Sequence, residues 1–337
     1  MSENNLALKK AFLLSKANIK LHPNINKHEL HSSTGNIGKN QWIFIRISKT
    51  SRVRLTLSEN ASLLLVKNGA NDYNIQDLDT NEIILNNVTI EQILSHAPEQ
   101  LFFLLYKNCD NRCLFCPITY HTDNSHYSWE KMQKRILENL QYNIRSISVT
   151  TACPPDKKQD DIVDEMMDIT QKARELTDKD IPIGASLKTP SRDQLSRLKE
   201  SGISEMRLNL ETYNPQLAKS LMPKKDINEI LQSIEDAVEV FGKEKVSSNI
   251  IIGLGETDDD ILQGVKVLSE IGALSTLYPY NPIGLPNEKF KRPSAERIFN
   301  LAVEHKRILE KYKLNPLGAR TMCCACAASH LYPGRDI

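Results

Sequence analysis

Three cysteines fall within eight residues, at Cys109, Cys113 and Cys116, in the spacing C-x3-C-x2-C. Thiolates are soft ligands that suit iron–sulfur clusters or zinc. Three ligands on one short loop are one short of a closed four-ligand site. A four-iron cluster held by them alone keeps one iron open, and an open metal position is where a substrate or cofactor can sit. A zinc knuckle, or a cluster with a distant fourth ligand, stands as the alternative. A second group, Cys323, Cys324 and Cys326, lies near the end of the chain, with Ser329 and His330 just beyond. It suits an iron–sulfur cluster, catalytic or structural, or a zinc ion with His330 completing Cys3His. Cys153 is the single isolated cysteine, read as a ligand or as a buried inert thiol.

Elements of regular structure must position these groups. From residue 101 the pattern alternates strands with helices. Strands are expected at 101–106, 146–150, 181–186, 203–210, 246–252 and 273–278. Helices are expected at 161–176, after Thr189 as N-cap with Pro190 at N1, at 227–241 with Asp226 as cap, from Thr257, and at 294–312. Each crossover is helical, so the strands pair in parallel. The expectation is an α/β fold, a partial (β/α)6 barrel of TIM type. Before it, 42–47, 53–57 and 62–66 read as strands, and Asn68-Gly69 as a hairpin turn, which makes a small β-rich N-terminal domain. Residues 1–20 read as a short amphipathic helix. The expected units are 1–96, 97–290 and a C-terminal extension, 291–337.

The chain has 337 residues, with Lys and Arg totalling 43 against Asp and Glu totalling 42. That balance argues against nucleic-acid binding by bulk charge. No run of about 18 apolar residues is present, so no membrane span is expected. The first residues lack the apolar core and cleavage site of a signal peptide. Seven cysteines in two tight groups plus a singleton argue for metal chemistry in a reducing cytoplasm rather than a disulfide framework.

In α/β barrels the chemistry gathers at the C-terminal ends of the strands. The cysteine loop follows the first strand. Thr150, Thr151 and Cys153 follow the second. Arg207, Asn209 and Glu211 alternate onto one face at the fourth, where an amide and a carboxylate can bond hydroxyls and the guanidinium can hold a carboxylate. Gly253 and Gly255 follow the fifth, and Tyr280 and Asn281 the sixth, in a run that continues through Ile283 and Gly284.

The triple-cysteine loop after a hydrophobic strand, with aromatic Phe115 before the third cysteine, resembles the radical S-adenosylmethionine (SAM) superfamily. The likeness runs from near Ser95 to Pro282. The stretch from Asn249 to Glu256 is similar to that family's G-x-I-x-G-x-x-E element, with Asn249 in place of the first glycine. The resemblance implies a [4Fe-4S] cluster on Cys109, Cys113 and Cys116, with SAM at its open iron. Electron transfer then cleaves SAM to methionine and a 5′-deoxyadenosyl radical, which removes hydrogen from an unactivated carbon. It implies SAM contacts from Phe115 and from Thr150 and Thr151, where relatives carry a Gly-Gly-Glu stretch, and the carboxylate that Arg207 can hold would then be that of SAM. It also implies ribose contacts from Asn209 and Glu211, and adenosine contacts from Gly253, Gly255, Tyr280 and Asn281.

Within the superfamily the chain is similar to biotin synthase, where a cysteine corresponding to Cys153 binds a sulfur-donating cluster. Ser186 and Ser247 stand where biotin synthase has further ligands, so that cluster is not assembled in the same way. The tail cysteines, brought back over the open top of the barrel toward Cys153, would hold a second iron–sulfur cluster. That arrangement, and the run from His96 to Leu101, resemble the archaeal-type, two-protein lipoyl synthases. The implied reaction is sulfur insertion into an octanoyl chain on a lipoyl-carrier protein, with a sister radical SAM protein and an electron donor such as ferredoxin or flavodoxin as partners. A cofactor maturase or mutase with a structural or electron-relay second cluster is the alternative. A non-catalytic iron–sulfur or zinc scaffold is the reading from another class. Intact Asn209, Glu211 and the Gly253 to Glu256 turn argue against a scaffold, which needs no cofactor pocket.

Overall fold

A computed structural model of the chain describes residues 3–26, 30, 41–120, 125–282 and 290–337. Helix α1 (Glu3–Lys16) leads into six short strands: β1 (Asn18–Leu21), β2 (Trp42–Arg46), β3 (Arg52–Leu57), β4 (Leu63–Lys67), β5 (Tyr73–Asp77) and β6 (Ile83–Ile90). They close into a barrel in the order β1-β3-β2-β6-β5-β4. The sequence pattern indicates β2, β3 and β4 but passes over β1, β5 and β6. Asn74, Gln76, Asp77, Asn86 and Asn87 are poor strand formers. Closure of the barrel recruits them, because the ladder partners that β4 and β2 need lie there.

The second unit is a six-stranded, all-parallel sheet. It runs β7 (Gln100–Leu104), α2 (Trp129–Asn139), β8 (Ser146–Thr150), α3 (Gln159–Leu176), β9 (Ile183–Ser186), α4 (Arg192–Glu200), β10 (Glu205–Arg207), α5 (Pro215–Leu221), α6 (Ile227–Phe241), β11 (Val246–Ile252), α7 (Asp258–Ile271) and β12 (Leu274–Pro279). The strands lie in sequential order with every pairing parallel, the open form of a (β/α) barrel. The helices bury one apolar face each against the strands: Ile230, Ile234 and Val238 on α6, Ile261, Val265 and Leu268 on α7. Asp226 caps α6 and Thr257 caps α7, as expected. The cap of α4 is Ser191, not Thr189. Its hydroxyl accepts from Gln194 N while the Gln194 side chain returns to Ser191 N, a reciprocal pair that Thr189 lacks.

After β12, α8 (Ala295–Lys311) leads to the tail and the one-turn helix α9 (Met322–Cys326). The tail does not lie over the top of the barrel. Thr321 fills the space where a Cβ on Gly184 would stand, with its hydroxyl 2.5 Å from that point. The Glu205 carboxylate accepts from Arg320 N at 2.9 Å and Thr321 N at 2.8 Å. With the Gln100 amide correctly oriented, its nitrogen donates to Met322 O and its oxygen accepts from Cys326 N. Gln100 and Glu205 begin their strands and Gly184 is second in its own, so the tail enters at the N-terminal end of the barrel. The physical reason is polar pairing: these strand starts offer a carboxylate and an amide to backbone groups that would otherwise be buried unpaired.

The N-terminal barrel packs against the same tail. Arg54 N donates to Ala328 O at 2.9 Å, and Trp42 and Phe44 pack with Ala97 and Ala328. Ile298, Ala302 and Leu331 belong to the core of the N-terminal barrel, so the first and third expected units share one core.

Candidate active site

The cysteine loop is pinned from two sides. Asp110 N donates to Cys153 O at 2.9 Å, and Leu114 N donates to Leu221 O at 2.9 Å. Asp110 also pairs with Lys224. Cys113, Phe115 and Cys116 pack against Leu217, Ala218, Leu221, Met222, Leu254 and Tyr280. None of the seven cysteines is in a disulfide. Backbone N–H groups of Asn111 and Ile118 are directed at the sulfurs of Cys109 and Cys116. A hydrogen bond from Cys153, helped by that N–H, draws the Cys109 thiol down to about 5. Burial pushes Cys113 up to about 12 and Cys116 up to about 11.

Among the described residues no three His, Cys, Asp or Glu side chains are gathered tightly enough for a single metal ion. A four-iron cubane spreads its thiolates wider than one ion does. Three unpaired-by-disulfide thiols on a short pinned loop, with N–H donors directed at two of the sulfurs, therefore fit a cluster.

Glu211 faces this loop. It is buried, in a left-handed conformation at φ 65°, and held by Glu211 N to Asn249 O at 2.8 Å and Ile251 N to Glu211 O at 2.8 Å. Burial raises its carboxyl, while Lys225 and Arg207 pull it back. Lys225 was not singled out in the sequence. Its ammonium faces Glu211, Cys113, Cys153 and Cys116, which raise it against the cost of burial. Nothing marks it in the sequence: Lys224-Lys225 sits between two helices and reads as a solvated pair.

The other expected SAM contacts divide. Asn209 Oδ1 accepts from Arg207 Nε at 3.0 Å and Asn249 N at 3.3 Å. Thr150 Oγ1 donates to Phe103 O at 3.3 Å, and Thr151 Oγ1 donates to Ala152 O at 2.8 Å, so both hydroxyls are engaged by the chain. Gly253, at φ 111°, has Lys291 O only 2.2 Å from where a Cβ would stand. Its glycine is required by that close approach; Gly255 meets only Leu217, at 3.7 Å, but its own φ of 111° favours glycine as well. Both oxygens of Glu256 brace the turn, accepting from Gly253 N and Leu254 N at 2.7 Å each. Tyr280 is buried edge-on to Phe290, and Asn281 accepts from Arg292. Ile283 and Gly284 lie outside the described residues.

The structure brings Cys153 to Cys109 rather than to the tail. Asn111 Nδ2 donates to Cys153 Sγ at 3.0 Å. The tail cysteines occupy the opposite end, and they do not share one face. At about 100° per residue, Cys323 and Cys326 lie about 60° apart on α9, with Cys324 turned away. Cys324 is fully buried among Leu274, Leu309 and Leu314 and bonds Tyr332. Cys323 faces the Arg207 guanidinium, whose Nη1 is buried without a hydrogen-bond partner. Cys326 faces Arg52 and Arg54. His330 is buried with both ring nitrogens unpartnered, and the hydroxyls of Ser146 and Ser148 are likewise buried and unpartnered. Buried polar atoms without partners are costly.

A parallel partial barrel with a triple-cysteine loop after its first strand and a buried carboxylate opposite defines a class. Residues 103–268 match the family model of the Radical SAM superfamily. It is 21% identical over 200 residues to a GTP 3',8-cyclase of Limosilactobacillus fermentum, covering 57% of this chain and 58% of that one. It is 27% identical over 223 residues to a biotin synthase of Persephonella marina, covering 64% and 62%. A lipoyl synthase of Haemophilus influenzae is 24% identical over 239 residues, covering 69% of each. The chain thus spans about three-fifths of the length of the first two relatives. The crystal structure of methylornithine synthase (PylB) shares the fold, with a TM-score of 0.54 at 17% identity, covering 63% of this chain and 62% of that one. Among the described residues no helix is long and apolar enough to cross a membrane.

Proposed function

We propose that this chain is a radical SAM enzyme that inserts sulfur into an unactivated C–H bond, acting in the manner of a lipoyl synthase on an octanoyl chain held by a carrier protein. When bound, the cluster on Cys109, Cys113 and Cys116 supplies the electron that cleaves SAM. The chain's own groups then divide the binding. Glu211 and Asn209 hold the ribose hydroxyls. Lys225 takes the SAM carboxylate, since its ammonium faces Glu211 and the loop thiols, whereas the Arg207 guanidinium is turned to Asn209 and Thr276.

The observation that supports sulfur insertion is the contact between Arg207 and Cys323. It sets a tail thiol near the end of β10, from which the chain runs on through Asn209 to Glu211 and the radical loop. Arg207 ends β10 and Glu211 follows four residues later, a span of at most about 14 Å. A substrate carbon held between the two ends would lie near the radical on one side and a sulfur store on the other, which the reaction requires. The second cluster, on Cys323 and Cys326 with His330, is part of this proposal. So are a sister radical SAM protein, a ferredoxin- or flavodoxin-type donor and a reducing cytoplasm.

The test is to reconstitute the protein with iron and sulfide, add SAM and an octanoylated carrier, and weigh the product. Added sulfur supports the reading. A second reading, a mutase or maturase with a structural tail, is favoured by the apolar setting of Cys324. It would show as deoxyadenosine formation with no sulfur in any product.

A further inference from the structure

We infer that Cys153 is a fourth thiolate for the cluster on Cys109, Cys113 and Cys116, filling its open position until SAM arrives. Neither the triple-cysteine spacing nor the family assignment requires this residue. The inference rests on the radical-cluster reading alone and is independent of sulfur insertion.

Three observations converge. The loop after β8 is tied to the cysteine loop through main-chain bonds: Asp110 N to Cys153 O at 2.9 Å and Ala152 N to Tyr106 O at 3.1 Å. Cys153 therefore cannot drift from Cys109 without breaking both. Its sulfur faces the Cys109 thiol and accepts from Asn111 Nδ2 at 3.0 Å. N–H groups directed at sulfur are the surroundings that stabilise ligating thiolates. Finally, the Lys225 ammonium faces Cys113, Cys116 and Cys153 together, a single cation placed to offset the charge of several thiolates.

The two sulfurs face each other, and a rotamer change at either cysteine opens room between them. The exchange is a ligand substitution without redox change. The bond from iron to Cys153 breaks, the SAM amino and carboxylate groups take its place, and the released thiolate takes a proton from solvent. Until then the open iron is covered by sulfur.

The test compares the reconstituted full chain with Cys153→Ala, without SAM, by Mössbauer spectroscopy on iron-labelled protein. The tail contributes equally to both samples. In the unmodified chain the radical cluster should show four sulfur-ligated irons. In Cys153→Ala one iron should become distinct before SAM is added. SAM should also bind Cys153→Ala more tightly, by about tenfold if the thiolate covers the iron in nine molecules of ten. Identical SAM-free spectra overturn the inference, as does unchanged or weaker SAM affinity in Cys153→Ala. An unmodified chain that holds no cluster at Cys109, Cys113 and Cys116 overturns the radical-cluster reading as well, and is told apart by its iron content.

Discussion

Lys10 Nζ lies 2.8 Å from Asp336 Oδ2, with the lysine side chain wholly buried and the aspartate 1% exposed. The same ammonium donates to Ala327 O at 2.6 Å, and Asp336 accepts from Tyr332 N at 2.7 Å. The first helix and the last residues of the chain are thus tied by one ion pair shut away from water, and that tie fastens the segment carrying Cys323, Cys324 and Cys326. Breaking one partner leaves the other charged and buried. Lys10→Met should cost about 3–5 kcal/mol of stability. Replacing both, as Lys10→Met with Asp336→Leu, should cost less, because no lone charge remains. Urea denaturation midpoints decide between a structural tie and an incidental contact.

Removing a loop thiol should separate folding from chemistry. Cys113 packs at the rim of the barrel, not in its central core. Cys113→Ala should keep the circular dichroism of the folded chain and lose deoxyadenosine formation from SAM. Undiminished SAM cleavage by that variant would sink the radical reading.

SAM affinity should respond to the two groups that face the cysteine loop from the far side. Glu211→Ala removes charge-assisted hydrogen bonds worth about 1.5–3 kcal/mol, a loss of roughly ten- to a hundredfold in affinity. Lys225→Ala should weaken SAM in the same direction. Both variants should retain iron, since neither is a thiol. Equilibrium binding of SAM, with iron assayed in parallel, checks this pair.

Iron content should report on the tail. The anaerobically reconstituted chain is expected to hold about eight irons in two four-iron clusters. Cys323→Ala with Cys326→Ala should leave about four, with SAM cleavage retained and sulfur transfer lost. A count near four in the unmodified chain would remove the second cluster from the proposal.

Acid should destabilise the fold through its buried histidines. Burial lowers His305 to about 4, and burial together with the Arg54 charge lowers His96 to about 3. A histidine whose folded pKa is depressed contributes stability that is complete above its unfolded value near 6.5. That stability is lost as the pH falls from there toward about 4 for His305. The melting temperature should therefore drop between neutral pH and the acid range, and the drop should be shallower in His305→Asn. An identical pH slope in both proteins would remove His305 from the account.

Much of the barrel was legible in the sequence because its signals are local. Helical periodicity placed α6 and α7, Asp226 and Thr257 marked their starts, and the turn at Gly253 marked the end of β11. The triple-cysteine spacing named the chemistry without help from the fold, because three thiols on one loop can be read from the order of residues alone. The closed N-terminal barrel was only half visible. Asn74 and Asn87 carry no strand propensity, and pairing with distant partners overrides it.

Tertiary structure alone decided which cysteines meet. Sequence separation says nothing of which end of a barrel a tail will enter. The carboxylate of Glu205 and the amide of Gln100, at the strand starts, bind the tail backbone there and keep it from the top. Loop-to-loop hydrogen bonds hold Cys153 beside Cys109, and helical rotation turns Cys324 away from Cys323. Lys225, hidden in a run of charges, became part of the site only when α5 and α6 turned it toward Glu211. These are long-range contacts, fixed by packing and by the need to pair buried polar groups, and no short stretch of sequence contains them.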